Sequence, residues 1–137
     1  MVTINVTREM DAGLDQVWNI VSDVDNDPAY WQDLHSVKNV RREGNTVERV
    51  ATVGFRKSRS QQAVVLDPKK SVKILLTEGP MKGTRVLSLN ESSYGKTQVN
   101  VVWDVEMSGI PSFMRGAVVK RITKGTEDAL NRISKAI

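Results

Sequence analysis

At 137 residues, with 39% hydrophobic and 26% charged side chains, the chain has the length and composition of one soluble globular domain with a real core. No run approaches the ~18 apolar residues of a membrane-spanning helix, and the absence of cysteine excludes disulfides, thiol nucleophiles and cysteine-ligated metal centres. A formal net charge of +4 leaves two readings, an ordinary solvated surface or attraction to an anionic ligand, membrane surface or RNA.

The N-terminal stretch alternates Val2, Ile4 and Val6 with Thr3, Asn5 and Thr7, the period of a half-buried strand. It lacks the basic-then-apolar layout of a signal peptide, which predicts a cytoplasmic protein. Leu14, Val17, Trp18 and Val21 then fall at i, i+3, i+4 and i+7 and predict a short helix, with Asp11 available as its cap. Ser22 to Asp33 is dense in acids and turn formers. Within it, Pro28 is placed to begin a second short helix ahead of Tyr30, Trp31 and Leu34.

From Ser36 onward strands take over. Val37 to Arg42 and Thr46 to Phe55 flank a turn at Glu43-Gly44-Asn45 and predict a hairpin. Ser58 to Leu66 and Ser71 to Glu78 follow, split by Asp67-Pro68-Lys69-Lys70. Gly79-Pro80-Met81-Lys82-Gly83 breaks the chain before Thr84 to Asn90 and Lys96 to Met107, and in the last strand Val99, Val101, Trp103, Val105 and Met107 share one face.

Gly109 to Ile137 reads as one long helix. Pro111 suits its first turn, and Phe113, Met114, Ala117, Val118, Ile122, Ala129, Leu130, Ile133 and Ile137 recur at three- and four-residue steps. Gly116 and Gly125 interrupt it, each costing about 1 kcal/mol relative to alanine. Close approach of a strand or a slight kink is the expected reason, with room for a ligand between helix and sheet as the alternative. At roughly 40 Å the helix is too long to pack on a small flat sheet. The expected architecture is therefore α+β: a curved seven-stranded antiparallel sheet, one face buried, wrapped around the long C-terminal helix, with two short helices after strand 1 and a single domain over residues 1–137.

This order carries local marks: Leu14-Asp15-Gln16-Val17-Trp18-Asn19-Ile20-Val21-Ser22-Asp23-Val24 followed by Tyr30-Trp31, the Glu78-Gly79-Pro80-Met81-Lys82-Gly83 turn, and the terminal helix. Together they resemble the START-like or SRPBCC helix-grip superfamily, which includes polyketide cyclase/dehydrase proteins, pollen-allergen-type ligand carriers and coenzyme-Q-binding proteins. The resemblance implies a cavity between the long helix and the concave sheet, suited to a lipid, quinone or polyketide-like molecule. It brings no invariant catalytic motif, so no catalytic residue is carried over.

The residues themselves add little catalytic chemistry. One histidine, His35, without cysteine excludes the common zinc sites. Asp23, Asp25, Asn26 and Asp27 lack the glycine and distal glutamate of an EF-hand and read as helix-end and turn chemistry. No Gly-x-Ser-x-Gly elbow accompanies His35, and Gly79 to Gly83 lacks the Gly-Lys-Ser/Thr ending of a phosphate loop. Neither metal nor cofactor is expected.

The apolar constellation says more. Tyr30, Trp31, Trp103, Phe113 and Met114 either are plain core or converge on one cavity mouth. By strand parity Arg85 shares a face with Leu87 and Leu89, Glu78 with Val72, Ile74 and Leu76, and Arg49 with Val47 and Val53. Those three charges must pair with one another, meet a ligand's polar head, or sit in water at frayed strand ends. Ala117 and Arg121 on the long helix complete the expected ligand-binding set.

The leading expectation is a protein that binds or carries a small hydrophobic or amphipathic ligand, admitted by movement of the Tyr30-Trp31 helix or of Gly79 to Gly83. One alternative is a polyketide aromatase/cyclase or dehydratase in which Glu78 or Tyr30 moves protons. Another is an interaction module whose basic surface meets RNA, ribosome or an anionic membrane; under any of these readings a monomer or weak dimer is expected, with peripheral membrane contact open. Aromatic residues at 5% and no recognised RNA-binding motif argue against nucleic acid.

Overall fold

Alternating β-branched and polar residues build seven strands, and a computed structural model of the chain describes residues 1–54 and 56–137. In order they are β1 (Val2–Met10), α1 (Leu14–Val21), a 3₁₀-helix (Val24–Ala29), β2 (Leu34–Glu43), β3 (Thr46–Val53), β4 (Ser58–Asp67), β5 (Ser71–Glu78), β6 (Lys82–Ser93), β7 (Lys96–Glu106), a 3₁₀ turn (Ser112–Met114) and α2 (Arg115–Ala136). Phe55, the expected last residue of the third strand, lies outside the described residues.

Every pairing is antiparallel and the sheet runs β1-β7-β6-β5-β4-β3-β2, a curved sheet open between its first and second strands. The excursion through α1 and the 3₁₀-helix carries the chain from one edge to the other. Hairpins join β2 to β7 in succession, so each strand's register follows from the last. The β5–β6 connection needs glycine: at Gly83 φ is +144°, and a Cβ there would lie 2.8 Å from the Val105 Cα and closer still to the Asp104 carbonyl oxygen.

Inward-facing residues of the middle strands form the core, including Val47, Val64, Val72, Leu87, Val99 and Val101, each at most 2% exposed. Burial on α2 is uneven. Thr126, Ala129, Leu130 and Ile133 are buried, whereas nothing from Arg115 to Gly125 is. The C-terminal half of the helix therefore sits in the grip of the sheet, and the N-terminal half stands off it.

Three local expectations change. The second short helix is a 3₁₀ turn that contains Pro28 and ends before Tyr30, so Tyr30, Trp31 and Leu34 are not helical, and Leu34 opens β2. Asp25 and Asp27 in the first turn favour the 3₁₀ start upstream of the proline. The long helix begins at Arg115, because Pro111 is extended at ψ 140° and Ser112–Met114 wind as 3₁₀. Nor does close approach of a strand explain the two helix glycines, since a Cβ at Gly116 or Gly125 would meet nothing within 4 Å.

Candidate functional site

Where α2 stands off the sheet, a cavity of about 460 Å³ opens between them. Register brings its inner end together. Arg49 of β3 lies opposite Gln62 of β4, which lies opposite Leu76 of β5. One rung along, Ile74 of β5 faces Arg85 of β6, which faces Trp103 of β7. The remaining wall comes from the Trp31–Leu34 segment, the 79–83 turn and the start of α2, with Met81, Ile110, Met114, Val118 and Ile122 supplying apolar surface.

Two tryptophans and an arginine define the inner end. Trp31 and Trp103 meet edge-to-face, centroids 6.3 Å apart and planes at 71°, a favoured aromatic arrangement. The Arg85 guanidinium carbon lies 3.9 Å from the Trp31 ring centroid and 5.6 Å from that of Trp103, within cation–π range. Trp103 Nε1 donates to Thr126 Oγ1 at 3.0 Å, and that hydroxyl donates to the Ile122 carbonyl at 2.8 Å. This chain ties β7 to the first buried position of α2.

Below the tryptophans lies a buried charge cluster. Arg49 donates from Nε to Gln62 Oε1, from Nη1 to the Val24 carbonyl and from Nη2 to Asp27 Oδ2, at 3.0, 3.0 and 3.1 Å. Arg49 thereby pins the 3₁₀-helix to the sheet. Arg85 Nη2 approaches the same Asp27 oxygen at 4.0 Å. Burial pushes the Asp27 carboxyl above the usual carboxylate range, against the pull of Arg85 and Arg49. Burial likewise lowers the Arg85 guanidinium to about 10, opposed by Asp27 and aided by Arg49. Arg85 stays charged at neutral pH.

Toward solvent, Arg121 of α2 grips Asp33 with both arms, Nη2 to Oδ1 at 2.6 Å and Nε to Oδ2 at 2.9 Å. The Asp33 hydrogen bond raises the Arg121 guanidinium above its ordinary value. Because both partners are half exposed, this pair contributes only about 0–1 kcal/mol, but it spans the gap between α2 and the Trp31–Leu34 segment.

Of the residues singled out in the sequence, Trp31, Arg49, Leu76, Arg85 and Trp103 line the inner cavity, and Met114, Ala117 and Arg121 line its helix side. Four do not line it. Glu78 is exposed because a bulge shifts the β4–β5 register between Gln61 and Gln62, so residues beyond Leu76 reverse their faces. Phe113 is 86% exposed, since the 3₁₀ turn it occupies does not continue the phase of the α2 stripe. Tyr30 is half buried against the core, and its carbonyl accepts a hydrogen bond from Arg132 Nη1 at 2.9 Å. Leu87 sits between Val72 and Val101 in filled core.

Asp27, read from the sequence as turn chemistry, and Gln62, which sequence reading passed over, complete the inner end. A signal existed for the first: two arginines of inward parity require a counter-ion, and the acid-rich stretch after α1 is the nearest supply. Gly125 and Thr126 also border the cavity, so the open space beside the Gly125 Cα favours room for a ligand over close packing.

An open antiparallel sheet gripping one half of a terminal helix, with an apolar cavity under the other half, defines the START-like helix-grip class. The chain belongs to the family described as polyketide cyclase / dehydrase and lipid transport, whose model matches residues 1–137. Solved structures share the fold. A protein of Thermus thermophilus aligns at TM-score 0.84 and 18% identity over 98% of this chain and 95% of that one. The Zhui aromatase/cyclase of a Streptomyces species aligns at 0.81 and 16% over 98% and 92%. A START superfamily protein of Mycobacterium smegmatis aligns at 0.79 and 17% over 98% and 99%. At such identities the likeness is one of fold. No curated protein matches the sequence.

Proposed function

We propose that residues 1–137 act as a single cytoplasmic domain that binds or carries a small hydrophobic or amphipathic molecule, of lipid, quinone or polyketide-like character. The observation that carries this reading is the cavity of about 460 Å³ under the N-terminal half of α2, apolar along its sides with a few convergent polar groups at its end. Sites of roughly 300–1,000 Å³ built this way are typical for small molecules. Burying about 200 Å² of a ligand's apolar surface is worth about 5 kcal/mol before the costs of association. Polar groups then set orientation, and movement of the Trp31–Leu34 segment or of the 79–83 turn, both in the cavity wall, would admit the ligand.

A cyclase or dehydratase role has weaker support here. The two proton carriers it would draw on, Glu78 and Tyr30, lie outside the cavity. Titration of tryptophan fluorescence with a short-chain quinone, a long-chain alcohol and an aromatic polyketide tests the binding reading, because Trp31 and Trp103 both face the cavity. Saturable quenching by one of them, lost in Gly125→Phe, is expected. Absence of quenching by all three contradicts it.

A further inference from the structure

At the inner end of the cavity two positive charges share one negative charge. Arg49, with no side-chain exposure, is fully engaged by Gln62, Val24 and Asp27. Arg85, with 7% side-chain exposure, reaches Asp27 only at 4.0 Å, and its Nε is buried with no hydrogen-bond partner among the described residues. Trp31 attracts this cation through its ring but offers it no carboxylate. Asp33 is the one carboxylate among the described residues lining the cavity, and Arg121 holds both its oxygens. Nothing in the wall answers the second charge.

We infer that Arg85 is the seat of a ligand carboxylate: the cavity takes a monocarboxylate amphiphile, head inward on Arg85, with its apolar body running toward Met81, Ile110 and Met114. This rests on the binding reading above and specifies its ligand class. The charge count selects the head. One carboxylate brings Arg49, Arg85 and Asp27 to neutrality, a phosphate dianion would overshoot, and an alcohol, ester or quinone would leave a buried cation uncompensated. A carboxylate also suits a guanidinium, because charge-assisted N–H···O bonds are roughly twice as strong as neutral ones. The direction of entry follows from burial. Arg85 is 6% exposed, whereas Met114 at the helix end of the cavity is 43% exposed.

A headgroup series on the unaltered protein tests this. Dodecanoate, methyl dodecanoate and dodecan-1-ol are titrated at pH 7 and one ionic strength by tryptophan fluorescence. Dodecanoate is expected to bind at least about tenfold more tightly than the other two, and Arg85→Met to erase that preference. Carbon-13 NMR of carboxyl-labelled dodecanoate gives a second readout that needs no variant: the bound carboxyl is ionised at pH 7, as the charge count requires. Equal affinity for the three probes, or a bound carboxyl that is protonated at pH 7, overturns the carboxylate seat and leaves the cavity's binding role standing. Failure of all three probes overturns the seat, and with failure of the quinone and polyketide titrations it removes the binding role as well.

Discussion

Arg85→Met separates a residue kept for a ligand from one kept for the fold. Burial lowers the folded guanidinium to about 10, below the ordinary value of an unfolded arginine. Unfolding therefore takes up a proton between those two values, and stability rises with pH across that window. At neutral pH the whole penalty is present. At about 1.4 kcal/mol per pH unit it amounts to roughly 3 kcal/mol, already net of the attraction to Asp27. The contact with Trp31 at 3.9 Å offsets about 2 kcal/mol of this, as a desolvated cation–π pair. Methionine fills a similar volume without charge, so the variant should gain about 1 kcal/mol and roughly 3 °C in Tm. Urea and thermal unfolding followed by circular dichroism at pH 7 would register the gain, and repetition near pH 11.5 should show it shrinking. A loss of about 2 kcal/mol or more at pH 7 would refute the reasoning and make Arg85 a structural partner of Asp27.

Arg49→Met should behave oppositely, because it strands Asp27, Gln62 and the Val24 carbonyl. A loss of about 3 kcal/mol or more is expected from the urea midpoint, and a neutral result would show that the cluster does not anchor the 3₁₀-helix. Gly125→Ala should stabilise by about 1 kcal/mol, since its methyl enters open space and helix propensity improves; a measured loss would mean the helix cannot carry a side chain there. Gly83→Ala should cost more than about 2 kcal/mol through its positive φ and the clash with the Asp104–Val105 backbone, and an unchanged unfolding midpoint would contradict the tight β5–β6 turn.

Most of the architecture was legible because it rests on periodicity. Val99, Val101 and Val105 alternate into the core as a two-residue period requires, and Ala129, Leu130 and Ile133 bury the stripe that a 3.6-residue period draws. Features that break a period were not legible. The bulge beside Gln61 turned Glu78 outward, and the 3₁₀ winding of Ser112–Met114 left Phe113 in solvent. Both are one-residue changes of phase, which parity arguments propagate as errors to every position beyond them. Asp27 shows a different limit. Its neighbours Asp23 and Asp25 are exposed and it is 6% exposed, a distinction set by the distant Arg49 and Arg85 and not by local sequence. The cavity itself was expected from the resemblance, and its position became clear only from which half of α2 is buried.

The central claim is that the space beneath the first half of α2 holds a small amphipathic molecule. Native mass spectrometry of the protein purified from its own cells, compared with Gly125→Phe prepared identically, tests it most directly. The account predicts a stoichiometric adduct on the unaltered protein, released by gentle organic extraction and absent from the variant. An adduct-free mass for both proteins, or an adduct retained equally by Gly125→Phe, would contradict it.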